Sequence, residues 1–224
     1  MGFKVKELDQ SIIKFDYEKS LKYDDFHISE SNIHIIEIFN KWPNWEKNFL
    51  NISGERYSGK SHIINIFLKK FKGIKFDAKK IEDNNIKEIK IHQNIIIEDL
   101  DKNINEKLLY SIFNLIEQDN KYLIVTSAQP IVDIGFNLLD LKSRTKNFLL
   151  QNIGKPNDEL MFALILKNLS DRQISLDKKL INYIIKRIDR SYGKIFDFIY
   201  KIDEISLKKK KSIDFKIIKE ALGE

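Results

Sequence analysis

A chain of 224 residues with 42% hydrophobic and 32% charged residues can bury a core of one domain plus a small appendage. It has no cysteine, which excludes disulfides, thiolate metal sites and a cysteine nucleophile. No apolar run approaches the roughly 20 residues of a membrane span, and the start Met1-Gly2-Phe3-Lys4-Val5-Lys6-Glu7 has no apolar signal core, so the expectation is a cytoplasmic protein with no membrane partner. The net charge of +6 admits weak or indirect contact with DNA. The lysines are nevertheless spread along the chain, and the run at 208–211 reads as a solvated loop. His27, His34, His62 and His92 lack the spacing of metal ligands.

In chain order, residues 1–20 form an N-terminal segment marked by Gln10-Ser11-Ile12-Ile13-Lys14-Phe15. A glutamine followed by apolar residues can anchor an extended peptide in a partner's groove, and an ordinary edge strand fits the same residues. Ile33, Ile35, Ile36, Ile38 and Phe39 are spaced for a helix buried on one side, with capping residues in 29–32. Trp42-Pro43-Asn44-Trp45 closes that helix with a turn.

A strand over 48–53 then runs into Gly54-Glu55-Arg56-Tyr57-Ser58-Gly59-Lys60-Ser61, which fills the pattern G-x-x-x-x-G-K-[ST]. Glycines let backbone N–H groups wrap phosphate oxygens, the lysine reaches the β and γ phosphates, and the hydroxyl ligates Mg²⁺. The following helix, with Ile63, Ile64, Ile66, Phe67 and Leu68 apolar, presents its positive N-terminus to the anion. The expected nucleotide site comprises Gly54, Tyr57, Ser58, Gly59, Lys60, Ser61 and His62, with ATP or ADP and Mg²⁺ as cofactors.

A short strand over 74–77 and a polar, amphipathic connection over 78–90 lead to Asn94-Ile95-Ile96-Ile97-Glu98-Asp99, a buried strand ending in acids. In open α/β sheets, ligands bind at the carboxyl ends of strands. Glu98 is therefore assigned to Mg²⁺ through water, and Asp99 to polarising a lytic water or sensing the γ phosphate. The same carboxylates also fit a helix cap. A helix over 106–118 and a strand over 122–127 follow, and Thr126 or Ser127 at the strand's end is a candidate to touch the γ phosphate or the lytic water. The alternation of strand and helix predicts a parallel, doubly wound α/β sheet with helices on both faces. After Pro130 and an irregular stretch, the residues 138–144 precede a short apolar strand at 147–152. From 157 onward the pattern is wholly helical (157–169, 177–188, 191–206, 214–222), placing an α/β domain at 21–153 and a small helical lid at 154–224.

Together the phosphate loop, the 95–99 strand, Val125 to Ser127, Leu141-Lys142-Ser143-Arg144 and the helical lid resemble AAA+ ATPases of the DnaA initiator branch. The resemblance makes Asp25-Phe26-His27 an adenine-contacting segment and Arg144 an arginine finger delivered in trans to a neighbour's nucleotide. By itself Arg144 also fits a surface partner of Asp140. The family's lid arginine falls near Gly193 and Lys194, leaving Lys194 or Arg190 to contact nucleotide. With Glu98 in place of the commoner Asp, this implies weak intrinsic hydrolysis at most. The chain stops at Glu224, just after the lid, without the initiator's helix-turn-helix. That is similar to the Hda-type regulators, for which the resemblance implies a DnaA-type initiator and the replicase sliding clamp as partners. Gln10, Ile13 and Phe15 are then the clamp-binding residues, although Ser11 stands where a leucine is usual. A homodimer completes the expected partners, and the alternative is a helicase-loader-like or DNA-associated ATPase of the same branch.

Overall fold

The computed structural model describes residues 26–224, and the expectations for Gln10, Ile13, Phe15 and Asp25 lie outside the described residues. A five-stranded parallel sheet, β1 (Phe49–Ser53), β2 (Ile74–Asp77), β3 (Asn94–Leu100), β4 (Tyr122–Ser127) and β5 (Leu149–Asn152), has the order β2-β3-β4-β1-β5. Alternating side chains divide the apolar residues between its two faces. Ile95, Ile97, Leu123, Val125 and Phe49 face one side, where they pack with Leu109, Ile112, Phe113 and Ile116 of α4 (Glu106–Gln118) and Leu141 of α5 (Leu139–Thr145). Leu50, Ile52, Ile96 and Ile124 face the other, against Ile35 and Phe39 of α1 (Ile33–Asn40) and Ile63, Ile64 and Phe67 of α2 (Lys60–Phe71). The three consecutive isoleucines of β3 are needed because both faces are covered.

The connection at 78–90 is more ordered than its polarity suggests. It holds a 3₁₀ turn at Asp83–Asn85 and the helix α3 (Ile86–Ile91), whose Ile89 is fully buried. The last strand starts at Leu149 rather than 147, because Asn147 and Phe148 turn back onto the carbonyls of Arg144 and Thr145.

The C-terminal helices α6 (Asp158–Asp171), α7 (Lys178–Ile185), α8 (Tyr192–Lys209) and α9 (Phe215–Leu222) build a cluster of their own around Met161, Ile165, Ile181, Ile199 and Ile218. Each begins where a side chain caps it: Asn157, Asp177, Ser191 and Asp214 accept hydrogen bonds from first-turn amides. The lysine run at 208–211 is not all loop. Lys208 and Lys209 form the last turn of α8, where their charge meets the negative helix end, and they pair with Glu204 and Glu220. No helix among the described residues is long and apolar enough to cross a membrane.

Candidate nucleotide site

The loop from Gly54 to Ser61 joins β1 to α2 at the carboxyl edge of the sheet. Gly54 is compelled by close approach, since a Cβ there would lie 2.9 Å from Ser58 Oγ and 3.0 Å from Ile153 Cβ. Gly59 begins α2 at φ 93°, in the left-handed region that favours glycine. The Lys60 ammonium is buried and donates to the carbonyls of Gly54 (2.7 Å) and Glu55 (3.0 Å). Burial pushes its pKa below the usual lysine range, against the opposing pull of Asp99, Glu55 and Glu98. Ser58 Oγ is a buried hydroxyl with no hydrogen-bond partner among the described residues, and Ser61 is exposed at the helix start.

On β3, Glu98 Oε2 receives the Lys75 ammonium of β2 at 2.9 Å, while Oε1 is buried without a partner. Asp99 stands at φ 56° where the register between β3 and β4 shifts, so its exposed side chain is carried on a bulge. Its N–H donates to Thr126 Oγ1 at 3.0 Å. Thr126 and Ser127 are fully buried, and the Ser127 hydroxyl donates to the Gln129 carbonyl at 2.6 Å. Both hydroxyls are thus engaged with the protein's own groups: Thr126 fixes the backbone of Asp99, and Ser127 the turn after β4.

Phe26 packs edge-on against His62, with ring centroids 5.1 Å apart, and a side chain at Gly59 would meet Phe26 at 3.4 Å. These residues form an aromatic wall beside the loop, whereas His27 is exposed and holds Asn32 only through its carbonyl. From the lid, Arg190 pairs with Asp158 at 2.8 Å, both exposed, and Lys194 is exposed. What the lid does bring to the loop is the first turn of α8, which the Glu55 carboxylate engages through Ser191 Oγ and the N–H groups of Tyr192 and Gly193, and Phe196, which stacks on Tyr57.

Arg144 lies elsewhere. Its partner is Glu117 in the last turn of α4, not Asp140, and its guanidinium lies 5.2 Å from the Tyr110 ring centroid. Burial is the largest single influence on its pKa and lowers it, but the hydrogen bonds and charges of Glu117 and Tyr110 together outweigh it and raise the pKa overall. Glu117 borders a hollow shared with Asn48 and Phe49 at the start of β1. Arg144 therefore sits at the amino edge of the sheet, opposite the chain's own phosphate loop.

Sequence reasoning missed Asn51, Glu55, Lys75, Tyr192 and Phe196. Only Asn51 carried a local signal, as a polar residue inside the apolar run of β1. Its side chain donates to the Val125 carbonyl (3.2 Å) and Ser127 Oγ (2.9 Å) and accepts from the Ile131 N–H (2.9 Å).

Among the described residues no group of three or more His, Cys, Asp or Glu is placed to hold a metal. A phosphate-bound Mg²⁺ needs less, because waters and phosphate oxygens complete its shell. The orphaned Glu98 Oε1 and the exposed Ser61 hydroxyl fit that lighter requirement.

A family model described as "Hda, lid domain" matches residues 158–222. The chromosomal replication initiator protein DnaA of Borreliella afzelii is 33% identical over 145 residues, covering 63% of this chain and 26% of that protein. The chain thus spans about a quarter of the length of such relatives. Among solved structures, domain III of DnaA from Thermotoga maritima superposes with a TM-score of 0.72 at 18% identity, over 93% of this chain and 98% of that one. AMPPCP-bound DnaA from Aquifex aeolicus gives 0.64 at 18% identity, over 86% and 67%. The chain thus has the fold of DnaA domain III, its helical region is similar to the Hda lid domain, and part of its sequence is similar to DnaA initiators.

Proposed function

We propose that this chain is an Hda-type regulator of replication initiation, which binds an adenine nucleotide itself and promotes hydrolysis of the nucleotide held by a DnaA-type initiator. The observation that carries this reading is the match of the whole helical region, 158–222, to the Hda lid domain. In this reading the loop amides and Lys60 hold the phosphates, with Phe26 and His62 beside the base. Ser61 and Glu98 would hold Mg²⁺, which supplies neutralising charge on the phosphates when bound. Lys75 already neutralises one Glu98 oxygen, and the lid offers the loop backbone amides rather than a bidentate guanidinium, both of which suit a nucleotide-held switch better than a fast ATPase. Gln10, Ile13 and Phe15 dock on the sliding clamp, and a homodimer and DNA contact belong to the same reading.

Arg144 acts in trans. Its place at the amino edge of the sheet keeps it away from its own nucleotide, and to meet a neighbour's it exchanges Glu117 for the γ phosphate. A guanidinium that meets the γ phosphate as negative charge spreads in the transition state is worth about 10³ to 10⁵ in rate. The test is the initiator's ATP turnover in the presence of loaded clamp. Arg144→Ala should abolish the stimulation while leaving this chain's own nucleotide affinity unchanged. Full stimulation by that variant rejects the trans finger. Clamp pull-down with Gln10→Ala tests the docking peptide, and failure of the wild-type chain to bind clamp favours the helicase-loader reading.

A further inference from the structure

Strand β2 brings a lysine to the acidic end of β3. The two strands pair in parallel, with Lys75 opposite Ile96 and Asp77 opposite Glu98. Side chains alternate across a sheet, so Lys75, Ile96 and Glu98 share the face that α2 covers, where Ile96 packs with Ile63, Ile64 and Phe67. The Lys75 ammonium meets Glu98 Oε2 at 2.9 Å and donates to Asn65 Oδ1 of α2 at 3.3 Å. It is thus held from two elements, one of them the helix that follows the phosphate loop. The N–H of Ala78, just past β2, donates to the Glu98 carbonyl at 2.9 Å and closes the strand pair at this end. The Glu98 side chain is 13% exposed against 36% for Lys75, so water and salt screen this pair less than one on the open surface. The other carboxylate oxygen, Oε1, is buried with no hydrogen-bond partner among the described residues. The charge of Glu98 also opposes the lowering of the Lys60 pKa, which puts it within electrostatic reach of the phosphate loop.

Glu98 is the carboxylate assigned above to Mg²⁺. In nucleotide sites that ion is bound through one or two carboxylates, waters and phosphate oxygens. Here one carboxylate oxygen already holds a cation that the chain itself supplies. We propose that Lys75 is a specificity-determining residue that takes over part of the divalent ion's role, so that this site binds adenine nucleotide almost equally well with and without Mg²⁺. The proposal rests on the nucleotide-site reading above. Two effects of the one ammonium act in the same direction. It adds fixed positive charge near the loop, which favours the phosphates when Mg²⁺ is absent. It also engages Glu98 and repels a second cation from that carboxylate, which weakens Mg²⁺ when it is present. Lysine suits the part, because its ammonium is a compact point charge on a flexible stem. A lysine that served only to pin β2 against α2 would leave the response to Mg²⁺ untouched.

The experiment is equilibrium titration of the full chain with fluorescent ADP, in excess EDTA and in saturating Mg²⁺ at constant ionic strength, for wild type, Lys75→Gln and Lys75→Arg. Wild-type affinity should be nearly the same in the two conditions. Lys75→Gln keeps a donor for Glu98 but removes the charge. Its affinity should be about tenfold higher with Mg²⁺ than without, the scale of one unit charge against a dication a few ångströms away in hydrated surroundings. Lys75→Arg keeps the charge and should behave as wild type. If Lys75→Gln does not fold, Lys75→Met, which keeps an apolar stem and also lacks the charge, makes the same test. Wild-type affinity that rises steeply with Mg²⁺ overturns the assignment, as does an equal response to Mg²⁺ in wild type and the uncharged variant. Binding of ADP by the wild type in neither condition removes the nucleotide-site reading itself and this assignment with it, whereas binding with a steep Mg²⁺ dependence removes only the assignment.

Discussion

Asn51 shows how one side chain sets the carboxyl edge of the sheet. It is fully buried in β1, between β4 and β5, and its amide joins the end of β4 to the backbone of Ile131. Through Ser127 it fixes the same strand end whose Thr126 holds the Asp99 N–H. Asn51→Ala would strand a buried N–H and a buried carbonyl in apolar surroundings, so a loss of about 2 kcal/mol or more in unfolding free energy is expected. A shift in the urea midpoint without a change in slope checks it. Asn51→Leu, which adds apolar volume but leaves the same groups unpaired, should not recover the loss. The contrast with Lys60 shows what is legible in a sequence. Lys60 can be placed in the loop from the sequence because its partners, the Gly54 and Glu55 carbonyls, lie within the same eight consecutive residues. Glu55 sits in the same loop, yet its partners lie 136 to 138 positions away, where no local pattern points. Thr126 and Ser127 were placed at the right strand end, but a strand pattern does not say which way a terminal hydroxyl turns.

At the scale of elements, helix ends were legible because caps are local chemistry. Asn157, Asp177, Ser191 and Asp214 each sit where the sequence pattern starts a helix, and each caps it. What joins one element to another was not. Glu106 opens α4, but its carboxylate reaches across to accept from the N–H groups of Asn137 (2.9 Å) and Leu138 (2.6 Å) ahead of α5, the helix that carries Arg144. The hydrogen bond from the Asn137 backbone, with that from Leu138, holds the Glu106 carboxyl below the usual glutamate range. A carboxyl depressed in the folded state stabilises the fold at pH values above its unfolded pKa of about 4.3, and that contribution disappears as pH falls through the lower folded value. Glu106→Gln should therefore be less stable than wild type at pH 7, and the gap between them should narrow as the pH is lowered below about 4. Chemical denaturation of both proteins across pH 3 to 7 measures it. A gap independent of pH would mean that the amide bonds, and not the charge, hold α5.

Across the whole molecule, the lid is tied to the sheet by a second set of contacts beside the aromatic and acidic ones of the loop. Tyr192 and Leu160 belong to the apolar cluster on the α1 and α2 face of the sheet, so the lid inserts two of its own residues into the other unit's core. The Tyr192 hydroxyl donates to the Gly154 carbonyl (3.0 Å) and meets Ser31 Oγ (3.3 Å), while the Gly154 N–H donates to the Ser31 carbonyl (3.1 Å). The expected hinge, the approach to α1 and the first turn of α8 thus converge on one phenol, whose burial raises its pKa and keeps it neutral as a donor. Since Glu55 holds the adjacent residues of α8, a change at the loop and a change at the hinge are felt by the same helical turn. Tyr192→Phe keeps the ring in the core and removes only the donor, a loss of about 1 kcal/mol. If local opening of that turn limits exchange, amides at the start of α8 should exchange about fivefold faster in this variant, with central β3 amides little affected. Tyr183→Phe is the control: its hydroxyl bonds Glu224 at an exposed site within the lid, and its loss should leave the start of α8 unchanged. Equal exchange at that turn in wild type and Tyr192→Phe would show that the lid is held by Glu55 and apolar packing alone, with no contribution from the hinge.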